Sequence, residues 1–478
     1  AAAADLTMAP LRATLPRRVL DGFGIAPRAT SLHVQPRSLE ELAHVLAQAR
    51  HEGLAVSFRG NGRSYGDASL NAGGLAIDDR GLARVLDFDP GTGLLEAQMG
   101  VTIADLWRTG LPHGWWPAVV PGTMFPTMGG CVSMNIHGKN CYHAGPFGDH
   151  VVELDLMTAD GTVRTLNRER DDELFRAVIG GLGLLGAVTR VKLQMKRVES
   201  GRLRVRPIRV PSLEAMFACF ERRMPGADYM VGWLDAFASG SALGRGLVHE
   251  ASYMSAAEDP EGVALLAVDR QGLPPSVLGV PRSLAWLFMK PFTNDPGMRL
   301  VNAVKYHLPE HTDADGQFRS GLVEFSFLLD YVPGWRNAYA PAGFQQFQLF
   351  LPDATARRGM REALERCQRH ALVPYLAVFK RHKPDEYLLS HGLDGWSLAL
   401  DFAIPAREPR RLQALTRELA ALVLEHGGRF YPAKDVCITA DDFARSHGER
   451  LTRFLALKRT LDPDGVFRND QARRLGLA

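Results

Sequence analysis

Over the first 200 residues, short apolar runs of period two alternate with stretches of helical period, which predicts strands and helices in turn. Residues 31–35 read as a short strand that stops at Pro36. Ser38-Leu-Glu-Glu41 is a capping box, with Ser38 as N-cap. Leu39, Leu42, Leu46 and Ala49 then follow at helical spacing until Gly53 closes the helix. Residues 54–58 form an apolar strand. Further short strands are expected at 75–77, 94–98, 151–157 and 188–193. From about residue 200 the pattern changes. Residues 202–210 (RLRVRPIRV) alternate basic and apolar side chains, as a half-exposed strand would. Strands are predicted at 322–329, 345–351, 375–379 and 396–402, with helices near 212–223 and 354–369. Such spacing predicts an antiparallel sheet with helices on one face. Residues 254–318, rich in Gly, Pro and Asp, read as long mobile loops, and 441–469 as a helix that ends before Pro463. The fold class expected is α+β, not a regular doubly wound sheet.

A length of 478 residues suggests two or three domains. Net charge is +3, from 56 basic and 53 acidic residues well mixed, which sets nucleic-acid binding aside. The five cysteines stand singly, with no CxxC pair. No zinc or other metal site is therefore expected, only buried free thiols in a reducing compartment. No run approaches the ~18 apolar residues of a membrane span. The N-terminal AAAADLTMAP lacks the order of a secretory signal. A cytoplasmic or membrane-associated location is the expectation.

Four loops carry the candidate chemistry. Arg59-Gly-Asn-Gly-Arg-Ser-Tyr-Gly66 follows a strand, and its glycines can present backbone N–H groups to an anion. It is neither GxGxxG before a helix nor a P-loop, so it reads either as an anion cradle or as an ordinary surface turn. In the segment 121–140, Gly122, Gly129, Gly130 and Gly138 are interleaved with apolar residues, and His137, Lys139 and Asn140 crowd together at its end. Such a run can lie against a flat aromatic ligand. Gly180-Gly-Leu-Gly-Leu-Leu-Gly186 is a weaker signal. Gly427-Gly-Arg-Phe-Tyr-Pro-Ala-Lys-Asp435 sets Lys434 among apolar residues, where desolvation would lower its pKa, or beside Asp435 as a simple ion pair.

Together these segments resemble the FAD-linked oxidases of the vanillyl-alcohol oxidase type, which have the p-cresol methylhydroxylase-like FAD fold. The matching stretches are Gly62-Arg-Ser-Tyr-Gly-Asp67, Ile136-His-Gly-Lys-Asn140, Ala338-Tyr-Ala-Pro-Ala-Gly-Phe344 with Gln346 and Gln348, Ala433-Lys-Asp435, and Ala472-Arg-Arg-Leu475. The resemblance runs nearly end to end and is nearest to the branch that oxidises polyprenylphosphoryl ribose. It implies an FAD-binding domain of two α+β subdomains (1–200), an antiparallel-sheet substrate domain (201–409) and a C-terminal return to the FAD domain (410–478). It further implies that Arg59, Gly60, Asn61, Gly62, Arg63, Ser64, Tyr65, Gly66 and Asp67 wrap the FAD pyrophosphate. Gly122, Thr127, Met128, Gly129, Gly130, Met134, Asn135, Ile136 and His137 would line the flavin and ribityl chain, completed by Val188 and Tyr431. Ser64 stands where covalent members carry a flavin-linking histidine, so FAD is expected to be non-covalent.

The reaction implied is hydride transfer from a carbinol carbon to the flavin, with Lys434 or His137 as base and Lys139 holding the substrate's anionic group. Gln346 and Gln348 would bond sugar hydroxyls, with Lys380 in the same pocket. Against the resembled branch, Ala399 replaces a cysteine, Ser397 an asparagine, Ser326 a tyrosine and His382 a phenylalanine. These changes cluster in the substrate pocket and leave the FAD loops intact. The expected substrate is a polyprenyl-phosphate-linked pentose, oxidised as the first half of an epimerisation to arabinose for cell-wall arabinan. A separate NAD(P)H-dependent short-chain reductase would complete it. The alternatives are a soluble oxidase of free sugars, alditols or aldonolactones using O₂, and a flavin carrier without turnover. Residues 283–292 (SLAWLFMKPF) read either as a buried helix or as a peripheral membrane contact.

Overall fold

The computed structural model describes residues 9–277, 279–308 and 310–478. The Ser38 hydroxyl caps the helix Leu39–His51 by accepting from Glu41 N at 3.1 Å. Leu42, Val45, Leu46 and Ala49 turn inward, while Leu39 remains exposed at the first turn. Their partners are Leu32, Val56, Leu75 and Ile77 of a four-stranded sheet. Its order is Arg17–Asp21, Arg28–Val34, Leu75–Asp78, Val56–Arg59, with the last two pairings parallel. A second, antiparallel sheet runs Val85–Phe88, Leu94–Gln98, Ala187–Gln194, Val151–Met157, Val163–Asn167. The end of the chain closes on the first sheet: Val56 donates to Val466 O at 2.7 Å and accepts from Arg468 N at 2.9 Å.

The third sheet has eight strands in the order Phe318–Gly321, Arg202–Val210, Gly246–Tyr253, Tyr229–Leu234, Leu376–His382, Gly395–Ala403, Phe344–Pro352, Arg429–Phe430. Every neighbour pair is antiparallel. Side chains alternate between faces along each strand. Phe347, Leu349, Phe379, Leu398 and Leu400 belong to the core shared with the helices Leu213–Arg223, Asp353–Arg369 and Pro409–Glu425. The residues between them, Gln346, Gln348, Lys380, Ser397, Ala399 and Asp401, take the other face. The fold is thus α+β with antiparallel sheets.

Three local expectations differ. Residues 322–329 form no strand. The strand is Phe318–Gly321, and Leu322–Ser326 is helical, followed by a 3-10 turn at Leu328–Asp330. Val323, Phe325, Phe327 and Leu329 alternate with Glu324 and Ser326, a period-two pattern that favours a strand and is overridden by tertiary contacts. Here Leu322 N donates to Gly201 O at 3.0 Å and Val323 N to Gln271 Oε1 at 3.2 Å, which turns the chain off the sheet. The stretch 254–318, expected to be loops, contains the 13-residue helix Asp295–His307, capped by the Asn294 side chain. The C-terminal helix is two, Ala440–His447 and Glu449–Leu461, because Gly448 takes a positive φ of 54°.

Candidate active site

The strand Val56–Arg59 ends in the first glycine loop, which presses on the second. A Cβ at Gly60 would stand 2.3 Å from Thr127 Oγ1. Thr127 is the N-cap of the short helix Met128–Ser133, accepting from Gly130 N at 3.4 Å and donating to Asp79 Oδ2 at 2.9 Å. Between the loops lies a cleft that both of them line. Its first wall is Gly60, Asn61, Gly62, Arg63, Ser64 and Tyr65; its second is Gly122, Thr127, Gly129, Gly130, Met134 and Ile136. Val188, Tyr431 and Lys434 close it, and the weak third glycine turn adds Leu182, Gly183 and Gly186.

Two buried polar atoms in this cleft, Arg63 Nε and Asp79 Oδ1, have no hydrogen-bond partner. The Arg63 guanidinium is held 4.7 Å over the Phe125 ring and 5.2 Å from that of Phe23. An unpaired buried guanidinium nitrogen invites an anionic acceptor, and the close-packed glycine backbone offers N–H donors beside it. Burial raises the Asp79 carboxyl to about 7, so it can be neutral and donate. This donor set fits the anionic part of a dinucleotide lying between the two loops.

Several residues assigned to the cofactor from sequence lie off the cleft wall. Arg59 turns to Ser69 Oγ at 3.0 Å and Asp21 O at 2.9 Å. Gly66 packs where a Cβ would meet Asp435 O at 2.4 Å. Asp67 is tied to Arg474 at 2.8 Å. Met128 is core. Asn135, at φ 42°, donates to Ser390 Oγ at 3.0 Å and accepts from Gly148 N at 2.9 Å. These residues brace the loops.

The inner face of the eight-stranded sheet supplies the second half of the site. Register places Gln348 opposite Ala399, Gln346 opposite Asp401 and Lys380 opposite Ser397. His137 reaches this face. Its Nε2 lies 3.2 Å from Gln348 Nε2, which also donates to Ser397 Oγ at 3.1 Å, and His382 Nε2 meets the same hydroxyl at 2.7 Å. Lys380 Nζ is 3.5 Å from His137 Nδ1. Lys139 donates to Phe325 O, with Nζ 4.2 Å over the Phe325 ring. Ser326 Oγ is buried without a partner. Lys434 lies 3.6 Å over the Tyr65 ring, and Gln346 donates to Asp401.

Burial dominates the electrostatics. It lowers Lys434 to about 7, against an upward pull from Asp401, and lowers Lys139 to about 7 with help from Lys380. It raises Asp401 to about 6. His137 falls well below its ordinary value, through burial and then the charge of Lys380, so it is a neutral ring. His137, Cys141 and His382 bring ligand atoms within 4.8 Å of one another, a grouping not expected from isolated cysteines. Lys380 beside His137, and burial that pushes the Cys141 thiol up to about 12, oppose a cation there.

Two family patterns match the chain: the FAD binding domain over residues 30–167 and D-arabinono-1,4-lactone oxidase over 360–475. Decaprenylphosphoryl-beta-D-ribose oxidase of Mycolicibacterium smegmatis is 33% identical over 97% of this chain and 98% of its own length. The chain belongs to the decaprenylphosphoryl-beta-D-ribose oxidase family. It is an FAD-dependent oxidoreductase. Within the wider group, L-gulono-1,4-lactone dehydrogenase of Mycobacterium tuberculosis is 25% identical over 94% of this chain and 96% of its own. Cytokinin dehydrogenase 7 of Oryza sativa is 33% identical over 37% of this chain and 35% of its own. For a member of this oxidase family, the sequence reading overlooked Asp79, Asp330, His391 and Arg474 as parts of the site. Asp330 accepts from Thr123 Oγ1 and Met124 N, both at 2.8 Å, and holds the second loop. His391 packs its ring 4.3 Å from that of Tyr431. Only Arg474 lay within a matching stretch; Asp79, Asp330 and His391 stand outside the four glycine loops.

Proposed function

We propose that this oxidoreductase acts on a secondary hydroxyl of a pentose carried on a polyprenyl phosphate, best the 2′-hydroxyl of a polyprenylphosphoryl-β-D-ribose, giving the keto sugar. One observation carries the reading: Lys380 stands within charge range of both Lys139 and Lys434, and a phosphodiester bound beside Lys139 and Lys380 would favour their charged forms. Bound FAD supplies the acceptor for the hydride. Gly60 through Tyr65, with Gly122, Thr127, Gly129, Gly130, Met134 and Ile136, would hold it, without a covalent bond at Ser64. Lys434 takes the hydroxyl proton at Nζ, since a pKa of about 7 leaves a usable fraction neutral. Gln346 and Gln348 orient the sugar, and Lys139 and Lys380 offset the phosphate. Residues 1–200 and the chain after Phe430 make up the cofactor domain and 201–430 the substrate domain, because the helix Pro409–Glu425 and the strand Arg429–Phe430, expected in the C-terminal return from 410, pack on and join the eight-stranded sheet. The keto product passes to a separate NAD(P)H-dependent short-chain reductase that completes the epimerisation to arabinose.

Anaerobic addition of a polyprenylphosphoryl-ribose analogue should bleach the flavin band, and acid should release free FAD. A band that persists with this analogue sinks the proposal. The second reading, oxidation of a free aldonolactone, draws on the lactone-oxidase pattern over 360–475. Bleaching by a lactone but not by the ribosyl lipid would select it.

A further inference from the structure

Nine of the 17 exposed large hydrophobic side chains among the described residues fall between Leu284 and Leu308, a concentration no other stretch approaches. They occupy two short elements. The helix Ala285–Met289 leaves Leu287, Phe288 and Met289 outside, with Leu284 before it and Phe292 after it. The helix Asp295–His307 has its amphipathic sense reversed. Asn302 and Tyr306 face the protein, while Leu300, Val301 and Val304, with Leu308 just beyond the helix, form an outward stripe at spacings of one, four and eight. Phe288, Leu300 and Leu308 are 61%, 56% and 62% exposed. A soluble monomer rarely leaves such a patch uncovered.

Charge says what covers it. The single acidic group of residues 284–308, Asp295, is exposed but engaged, accepting from Tyr375 Oη at 2.9 Å, and Glu310 just beyond the segment meets His249 Nε2 at 2.8 Å. Lys290 and Arg299 remain exposed beside the apolar side chains. The patch also adjoins the cleft. The helix Ala285–Met289 packs on Trp335–Tyr339, Trp335 lines the cleft, and Arg282 and Leu329 line the pocket at its edge. No helix among the described residues is long and apolar enough to cross a membrane.

We propose that residues 284–308 form a docking surface for an anionic lipid bilayer, seating the apolar stripe among the acyl chains with Lys290 and Arg299 at the headgroups. The mouth of the cleft would then face the membrane plane. This rests on the lipid-linked substrate proposed above, because such a donor stays in the bilayer and the enzyme must come to it.

The test is flotation of the FAD-loaded enzyme with vesicles of phosphatidylcholine, with and without phosphatidylglycerol. The wild type should bind the phosphatidylglycerol vesicles, less so at high salt. Combining Phe288→Ser, Leu300→Gln, Val304→Gln and Leu308→Gln should lower partitioning at least about tenfold while the flavin spectrum and Tm stay unchanged. Lys290→Glu alone should weaken binding only to the anionic vesicles. A wild type that stays in solution, or a fourfold variant that floats as well as wild type, overturns the proposal. So does a wild-type dimer by light scattering that the variant dissolves, because a second copy then covers the face. Vesicle binding with no flavin bleaching by the ribosyl lipid leaves docking standing and removes the substrate reading.

Discussion

The two walls of the cleft are built from different materials. The cofactor wall is backbone: glycine turns pressed together so closely that a methyl group at Gly60 has no room. The substrate wall is side chains, projected by the register of three adjacent strands. A backbone cradle presents the same N–H groups whatever the neighbouring side chains are, so it suits a ligand that never changes. A strand-borne wall can be rewritten one side chain at a time, and His382, Ser397 and Ala399 all stand on that wall. Cofactor retention and substrate choice should therefore separate under mutation.

The largest separation is expected at Lys434. Lys434→Met should cost about 10²–10⁴-fold in kcat, the usual worth of a general base, while bound FAD is retained. Loss of flavin, or a kcat within a few-fold of wild type, would break the division. Removing Arg474, which pairs with both Asp67 and Asp435 at 2.8 Å, should cost about 3 kcal/mol in Arg474→Met. Denaturant unfolding checks it, and flavin should be lost with the fold. Gly66→Ala should cost about 1–3 kcal/mol and loosen FAD, since Asp435 O cannot withdraw from a new Cβ at 2.4 Å. Retention of the cofactor on gel filtration reads this out.

The pH dependence sharpens the substrate side. Lys434 is lowered to about 7 and must be neutral to accept a proton, so kcat should rise as pH passes upward through about 7 and level above it. The limb should vanish in Lys434→Met. Asp79 acts in the opposite sense on stability. Its folded pKa, near 7, lies above the ordinary carboxyl value, so its contribution is full below about 4 and is lost as pH rises towards 7. The smallest effect belongs to Ser326→Ala. Its buried hydroxyl has no partner to lose, and stability should stay within about 0.5 kcal/mol.

The glycine loops were legible because glycine spacing is itself the structural requirement: Gly60, Gly62 and Gly130 line the cleft directly. The strands that carry Gln348, Lys380 and Ser397 were legible from their period-two pattern. The run 322–329 was misread because Val323, Phe325, Phe327 and Leu329 alternate at strand period, while bonds to Gly201 and Gln271 hold its start in a helix. The helix Asp295–His307 was missed because Asp295, Pro296 and Gly297 in its first turn read as loop residues, although Pro is at home in a helix's first turn.

Local patterns alone determined the α+β character, the capped helix after Ser38, the anion-ready loops and the candidate lysines. These depend on residues within a turn or two of one another. Tertiary structure decided which groups meet. His137 lies 211 positions from Gln348, and Arg474 lies 407 from Asp67. It also decided their chemistry. A lysine near 7 and a carboxyl near 6 or 7 arise only when distant segments close over them and remove water.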